Sequence, residues 1–125
     1  MMIWMAVAAG GALGSLARHW VNGRLAHRGA HLMWSTFAVN VVGCLVIGAL
    51  AGRIASGRLH LTPVARTFVF VGFLGGFTTF STFGLDTFTL GHGGQQQAAI
   101  WNIVGQVTLG VGGVWLGYYL GLMEF

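Results

Sequence analysis

Nine residues near the middle of the chain, Gly75 to Phe83 (GGFTTFSTF), put polar chemistry into an otherwise apolar stretch. They comprise two adjacent glycines, four hydroxyls (Thr78, Thr79, Ser81, Thr82) and three phenylalanines stepping by three (Phe77, Phe80, Phe83). Glycine lowers helix stability by about 1 kcal/mol relative to alanine, and hydroxyls offer nearby backbone groups an alternative partner. Gly75-Gly76 therefore predicts a break in a helix. A break frees carbonyl oxygens, hard ligands suited to a cation. Phe80 and Phe83 then share one face of the resumed helix. Aromatic rings are positive at the edge and negative on the face. Rings turned edge-on can hold a small, strongly hydrated anion and still release it, as a conducting site must. The same stripe also suits lipid-facing or core phenylalanines, and periodicity alone favours that reading. Phe77 falls in the break and reads as packing.

Other polar residues in apolar surroundings are the next pointers. Asn40, in TFAVNVVG, either makes an interhelical hydrogen bond, worth roughly 0.6 kcal/mol, or donates to a permeating anion; position does not choose. Arg18, at the end of the first apolar run, can snorkel, anchor a re-entrant segment or attract anions to a vestibule. Asp86 lies late in its run, within reach of water. Glu124 is terminal. The histidines (His19, His27, His31, His60, His92) fall at helix ends and in joints without metal-ligand spacing. No nucleophile, base and acid come together, so an enzyme is not expected.

The elements that must carry these residues follow from composition. Of 125 residues, 55% are hydrophobic and 6% charged, and mean hydropathy is +0.76. Soluble domains are about 25% charged, so too little polar surface exists to cover one. Met1–Ala17, Leu32–Gly52, Thr67–Leu85 and Ala98–Met123 carry no charge, and a span needs about 20 mostly apolar residues. The expectation is an all-α membrane protein, one domain over 1–125, with four transmembrane helices near 2–23, 32–53, 62–90 and 96–122, the third broken in mid-membrane. Pro63 suits a helix's first turn. The first run is expected to stay as a helix, because its basic residues follow the apolar stretch, unlike those of a signal peptide. Cys44 reads as a small packing residue. The net charge of +4 comes from six dispersed arginines, which form no nucleic-acid stripe.

Four spans place Arg53, Arg58 and Arg66 on one side and Arg18, Arg24 and Arg28 on the other. Three against three gives little reason to prefer an orientation, which predicts dual topology and permits an antiparallel homodimer. Small-xxx-small ladders (Gly10/Gly14, Gly48/Gly52, Gly72/Gly76, Gly113/Gly117/Gly121) let backbones approach closely, within one bundle or between two. A four-helix chain this thin has little room for an internal pathway, so a pathway shared between subunits is expected.

The whole chain resembles the Fluc/CrcB fluoride channel family: four spans, GGALGSLAR near the start, TFAVNVVG in the second span and GGFTTFSTF in the third. The resemblance implies a dual-topology homodimer in the microbial plasma membrane. It implies two fluoride pathways at the interface and passive F⁻ export, which protects a cytoplasm that traps fluoride as HF enters. On this resemblance Phe80 and Phe83 are the pathway phenylalanines, Asn40 a lining donor and Thr79 a lining hydroxyl. Arg18 stands near the vestibule, and Gly75 and Thr78 give backbone carbonyls from both subunits to a central structural Na⁺. Gly84-Leu85-Asp86 departs from the family's Ser-x-Glu, and Gln106, with Thr108 nearby, stands where a small hydroxyl is usual. The competing reading is a small multidrug-resistance-like dual-topology antiporter. That chemistry needs a titratable carboxylate deep in the first span, and this span has none.

Overall fold

The uncharged runs fold as helices. The computed structural model describes residues 1–29 and 31–124, and of Leu32 the backbone alone. In order come α1 (Met2–His27), α2 (Leu32–Ala55), α3 (Pro63–Arg66), a π-helical stretch (Thr67–Leu74), α4 (Gly75–Phe77), α5 (Phe80–His92) and α6 (Gln96–Leu122). No strand occurs among the described residues. Three segments, Met33–Ala55, Pro63–His92 and Gln96–Leu122, are long and apolar enough to cross a membrane. α1 is long enough at 26 residues, but Arg18, His19, Asn22, Arg24 and His27 keep its second half more polar than the other three. Thr62 and Pro63 start α3 as their types require: the Thr62 hydroxyl accepts from Ala65 N at 3.2 Å, and Pro63 takes the first turn.

The helices pack as two pairs. α2 lies mainly against α6, and α1 mainly against the π-helical stretch and α4. Glycine sets both approaches. Side chains at Gly48 and Gly52 would run into the Val114 and Tyr118 carbonyls, and at Gly117 and Gly121 into those of Leu45 and Ala49. In the other pair, a Cβ on Gly72 would stand 2.9 Å from Gly10 Cα, and one on Gly76 2.6 Å from Gly11 O. These ladders are thus used inside the chain. Among the described residues the apolar core is thin: Ala6, Val39, Leu74, Leu90 and Ala99.

The Pro63–His92 segment breaks, but not at the glycine pair. Gly75 and Gly76 remain helical, Gly76 because α1 lies against it. The chain extends at Thr78 (φ −85°, ψ 161°) and Thr79 (φ −154°, ψ 117°) before α5 resumes. Here side chains from other helices replace the lost helical bonds. The joint after α2 turns at Gly57 (φ +71°) and sits by the C-terminal end of α6. Arg58 donates from Nη1 to Leu122 O and Met123 O at 2.7 and 2.8 Å, and from Nη2 to Glu124 Oε1 at 3.1 Å.

Candidate functional site at the broken helix

The break is held from two sides. From α2, Asn40 pairs with the extended backbone of Thr79: its Oδ1 accepts from Thr79 N at 2.8 Å, and its Nδ2 donates to Thr79 O at 3.0 Å. From α1, Arg18 Nη1 donates to Thr78 O at 3.2 Å. Arg18 is half-buried well inside α1, so of its three sequence readings the geometry is that of an anchor to the interrupted segment. The Thr78 hydroxyl donates back to Leu74 O at 2.9 Å, which closes the last turn before the break. The Thr79 hydroxyl opens the next turn, accepting from Thr82 N at 3.2 Å and donating to Thr82 Oγ1 at 3.0 Å. It therefore caps α5. Such an N-cap is worth about 1 kcal/mol.

A line of side chains continues from Asn40. Its Nδ2 also donates to Gln106 Oε1 at 2.7 Å. Gln106 Nε2 donates to Asn102 Oδ1 at 3.1 Å, and Asn102 Nδ2 to Thr87 Oγ1 at 2.9 Å. Thr87 donates to Phe83 O at 2.8 Å. Asn102 and Gln106 are 3% and 8% exposed, and buried amides of this kind are retained only when bonded. Reading the sequence for site residues missed Asn102 and Thr87. The signal was present for Asn102: an asparagine inside an uncharged run, four residues before Gln106 and so on the same helix face. Thr108 is exposed on α6 and stays outside the cluster.

Phe80 and Phe83 stand beside this line, with ring centroids 5.4 Å apart and planes tilted by 54°. Together with Asn40, Gln106 and Val107 they line a cavity of about 160 Å³. A second cavity, of about 290 Å³, lies on the other side of the break and is lined by Asn40, Gly43, Gly75, Thr78, Thr79 and Phe80 among others. Phe80, between the two, is 82% exposed on the outside of the chain. Phe77 instead stacks on Phe73 at 6.2 Å with near-parallel planes, a packing contact. Past the far end of the amide line a cavity of about 460 Å³ is lined by His31, Asp86, Thr89 and Gln95 among others. Asp86 Oδ2 is buried there without a hydrogen-bond partner. Among the described residues no three His, Cys, Asp or Glu side chains gather to hold a metal.

The carbonyls named for Na⁺ can be tested on geometry. Thr79 N–H, which helical winding would aim at Gly75 O, goes to Asn40 instead. Gly75 is exposed, and its nearest Cβ neighbour would be Phe70 O at 3.9 Å. Thr78 O takes one bond from Arg18, and a carbonyl has two lone pairs. Neutral hard oxygens fit a hard cation, although two are too few to surround one.

A helical bundle with one interrupted helix, its gap filled by amides and faced by aromatic rings, is the architecture of a multi-pass membrane protein. Residues 5–118 match the family described as CrcB-like protein, Camphor Resistance (CrcB), and the chain belongs to that family. A relative from Rhodospirillum rubrum, named fluoride-specific ion channel FluC, is 44% identical over 119 residues, 94% of this chain and 92% of its own. One of the same name from Nitrobacter winogradskyi is 47% identical over 114 residues, 90% of each chain. Another from Opitutus terrae is 43% identical over 120 residues, 94% of this chain and 91% of its own.

Proposed function

We propose that the chain is a fluoride-selective channel that lets F⁻ leave a bacterial cytoplasm passively. It works as an antiparallel dual-topology homodimer with two pathways at the interface and a structural Na⁺ at the centre. The observation that carries the reading is the gathering of Asn40, Phe80, Phe83 and Gln106 around one cavity beside the break. Those side chains carry amide N–H groups and ring edges, and no fixed charge stands among them. A small anion is thus stabilised by several weak partners, each easily released. The names of the relatives point to the same ion.

A second copy is supported by what one chain leaves open. Gly75, Phe80 and Ser81 are exposed around the break. Lipid does not face non-helical backbone at membrane depth, so protein or a water-filled cavity must cover it. The oxygens of Gly75 and Thr78 from both copies make a carbonyl set for Na⁺, whose charge would hold the two breaks together. For orientation, Arg18 is spent on Thr78 O, which leaves Arg24 and Arg28 facing Arg53, Arg58 and Arg66. Three against two still gives only a weak bias. In this reading α1 is the fourth span, with Arg18 reaching the break.

Efflux of F⁻ from loaded liposomes, followed by a fluoride electrode, tests the claim. The protein is expected to pass F⁻ and reject Cl⁻, and Phe80→Ile or Phe83→Ile to cut the flux by about tenfold or more while the dimer persists. Efflux no faster than from empty vesicles, with insertion verified, rejects the channel. Tags at the termini should be reached from both membrane sides, and labelling from one side alone rejects dual topology.

A further inference from the structure

Asn40 carries two N–H bonds, and both are taken: one by Thr79 O at 3.0 Å, the other by Gln106 Oε1 at 2.7 Å. An anion in the cavity lined by Asn40, Phe80, Phe83 and Gln106 therefore meets no free donor on Asn40. The two partners differ in how easily they yield. The bond to Thr79 O is half of a paired contact that holds the extended backbone at the break. The bond to Gln106 joins two side chains and supports no backbone. It is the one an anion can displace without loosening the break.

The direction of this line of bonds is dictated by backbone at both ends, since backbone groups cannot exchange donor for acceptor. Thr79 N–H fixes Asn40 Oδ1, which turns Asn40 Nδ2 towards Gln106, so Gln106 must present Oε1. Its Nε2 is then held by Asn102 Oδ1. Asn102 is fixed in turn by Thr87, whose hydrogen is committed to Phe83 O. Gln106 cannot turn its amide over alone to offer Nε2 to the cavity, because doing so would set acceptor against acceptor at Asn102 and donor against donor at Asn40. Gln106 and Asn102 are more than nine-tenths buried, so bulk water does not replace a lost bond.

We propose that Gln106 is a latch on the anion site. Its Oε1 caps the Asn40 N–H that the anion needs, and Asn102, backed by Thr87, is the positioning residue that holds the latch closed. The anion binds by displacing Oε1, so part of its binding free energy is spent on opening the latch. The inference rests on the channel reading above and gives Gln106, whose bulk alone would narrow a pathway, a definite task. It also gives the two buried side chains behind Gln106 a reason to be polar.

The test is the fluoride concentration that gives half-maximal flux in liposomes, measured separately from the maximal flux. Gln106→Met keeps the length and removes the acceptor. It is expected to lower the half-maximal concentration about fivefold, the weight of one neutral hydrogen bond. Asn102→Leu leaves Gln106 in place but unheld, and should lower it in the same direction by about twofold. A merely structural role for either residue would reduce maximal flux or the yield of folded dimer and leave the half-maximal concentration unmoved. A conducting wild type with an unchanged or raised half-maximal concentration in Gln106→Met overturns the latch and leaves the channel standing, as does a silent Gln106→Met protein that still assembles. A wild type that passes no F⁻ removes both readings. If Gln106→Met does not assemble, Asn102→Leu decides by the same readout, an unchanged value rejecting the latch.

Discussion

The α2–α6 pair and the segment from Pro63 to His92 are both apolar, glycine-bearing and long enough to cross a membrane, yet they are held together in different ways. α2 and α6 run unbroken for 24 and 27 residues. Their backbone bonds are internal, and glycines on each helix sit against carbonyls of the other. The third segment widens into a π-helix, a rare form frequent at functional sites, and then gives up helical bonding at Thr78 and Thr79. Its lost bonds are replaced by Asn40 from α2 and Arg18 from α1. One region is a frame made by close backbone contact. The other depends on a few side chains, of which Asn40 also lines the cavities on either side. The frame should therefore fail by steric overfilling, and the broken segment by loss of single hydrogen bonds.

The largest effect is expected in the frame. A side chain at Gly117 would meet the Leu45 carbonyl and stand 2.8 Å from Ala49 N. Backbone atoms on both sides leave no flexible neighbour to move. Gly117→Val should cost about 3 kcal/mol or more, seen as loss of a monodisperse species on size exclusion in detergent. Gly112, five residues earlier, has nothing within 4 Å of its Cβ position. Gly112→Ala should be neutral or gain up to about 1 kcal/mol from helix propensity. Equal behaviour of the two variants would mean that α2 and α6 are not closely apposed.

In the broken segment, Asn40→Leu should spare the frame and undo the break. The substitution leaves Thr79 N and Thr79 O without partners, at about 1–3 kcal/mol for each buried group. It also strands Gln106 Oε1. The protein should still purify as the wild-type oligomer, with fluoride flux reduced by about tenfold or more. A fully active Asn40→Leu protein would show that the break stands without its amide clamp, and the contrast between frame and clamp would collapse.

These contrasts bear on what could be read before the fold was known. The all-helical fold followed from the uncharged runs, because spans are dictated by local composition, but α1 continues ten residues beyond its run, from Ala17 to His27. The break was legible in kind but not in place. Glycine weakened the helix at Gly75-Gly76, but α1 packing against Gly76 kept the turn helical, and the interruption moved to the threonines, where Asn40 and Arg18 could reach the backbone. The cluster of Asn40, Phe80, Phe83 and Gln106 was named residue by residue through family resemblance. Spacing had left Asn40 undecided and had favoured filler for the phenylalanines. Asn102 and Thr87 escaped because their part depends on which helix faces which, information that no single segment carries. The glycine ladders were visible, but their partners were not: only the fold shows that Gly48 and Gly52 meet α6 and that Gly72 and Gly76 meet α1.

The smallest effect is expected at Arg18, where anchor and ion site meet on one oxygen. Arg18 Nη1 reaches Thr78 O at 3.2 Å from a half-buried position, a charge-assisted bond of the kind worth about 1.5–3 kcal/mol. Arg18→Gln keeps a donor but shortens the reach and removes the charge. The melting temperature should fall by about 5 °C, with fluoride flux lowered by no more than a few-fold. Thr78 O is also one of the carbonyls proposed for Na⁺, and a guanidinium beside it repels a cation. Removing that charge should therefore lower the sodium concentration that supports half-maximal flux, even as the fold loosens. The two shifts run in opposite directions, destabilised protein with tighter sodium dependence, and general damage to the bundle would not produce both. A lower melting temperature with unchanged sodium dependence would leave Arg18 as an anchor only and place the cation away from Thr78 O.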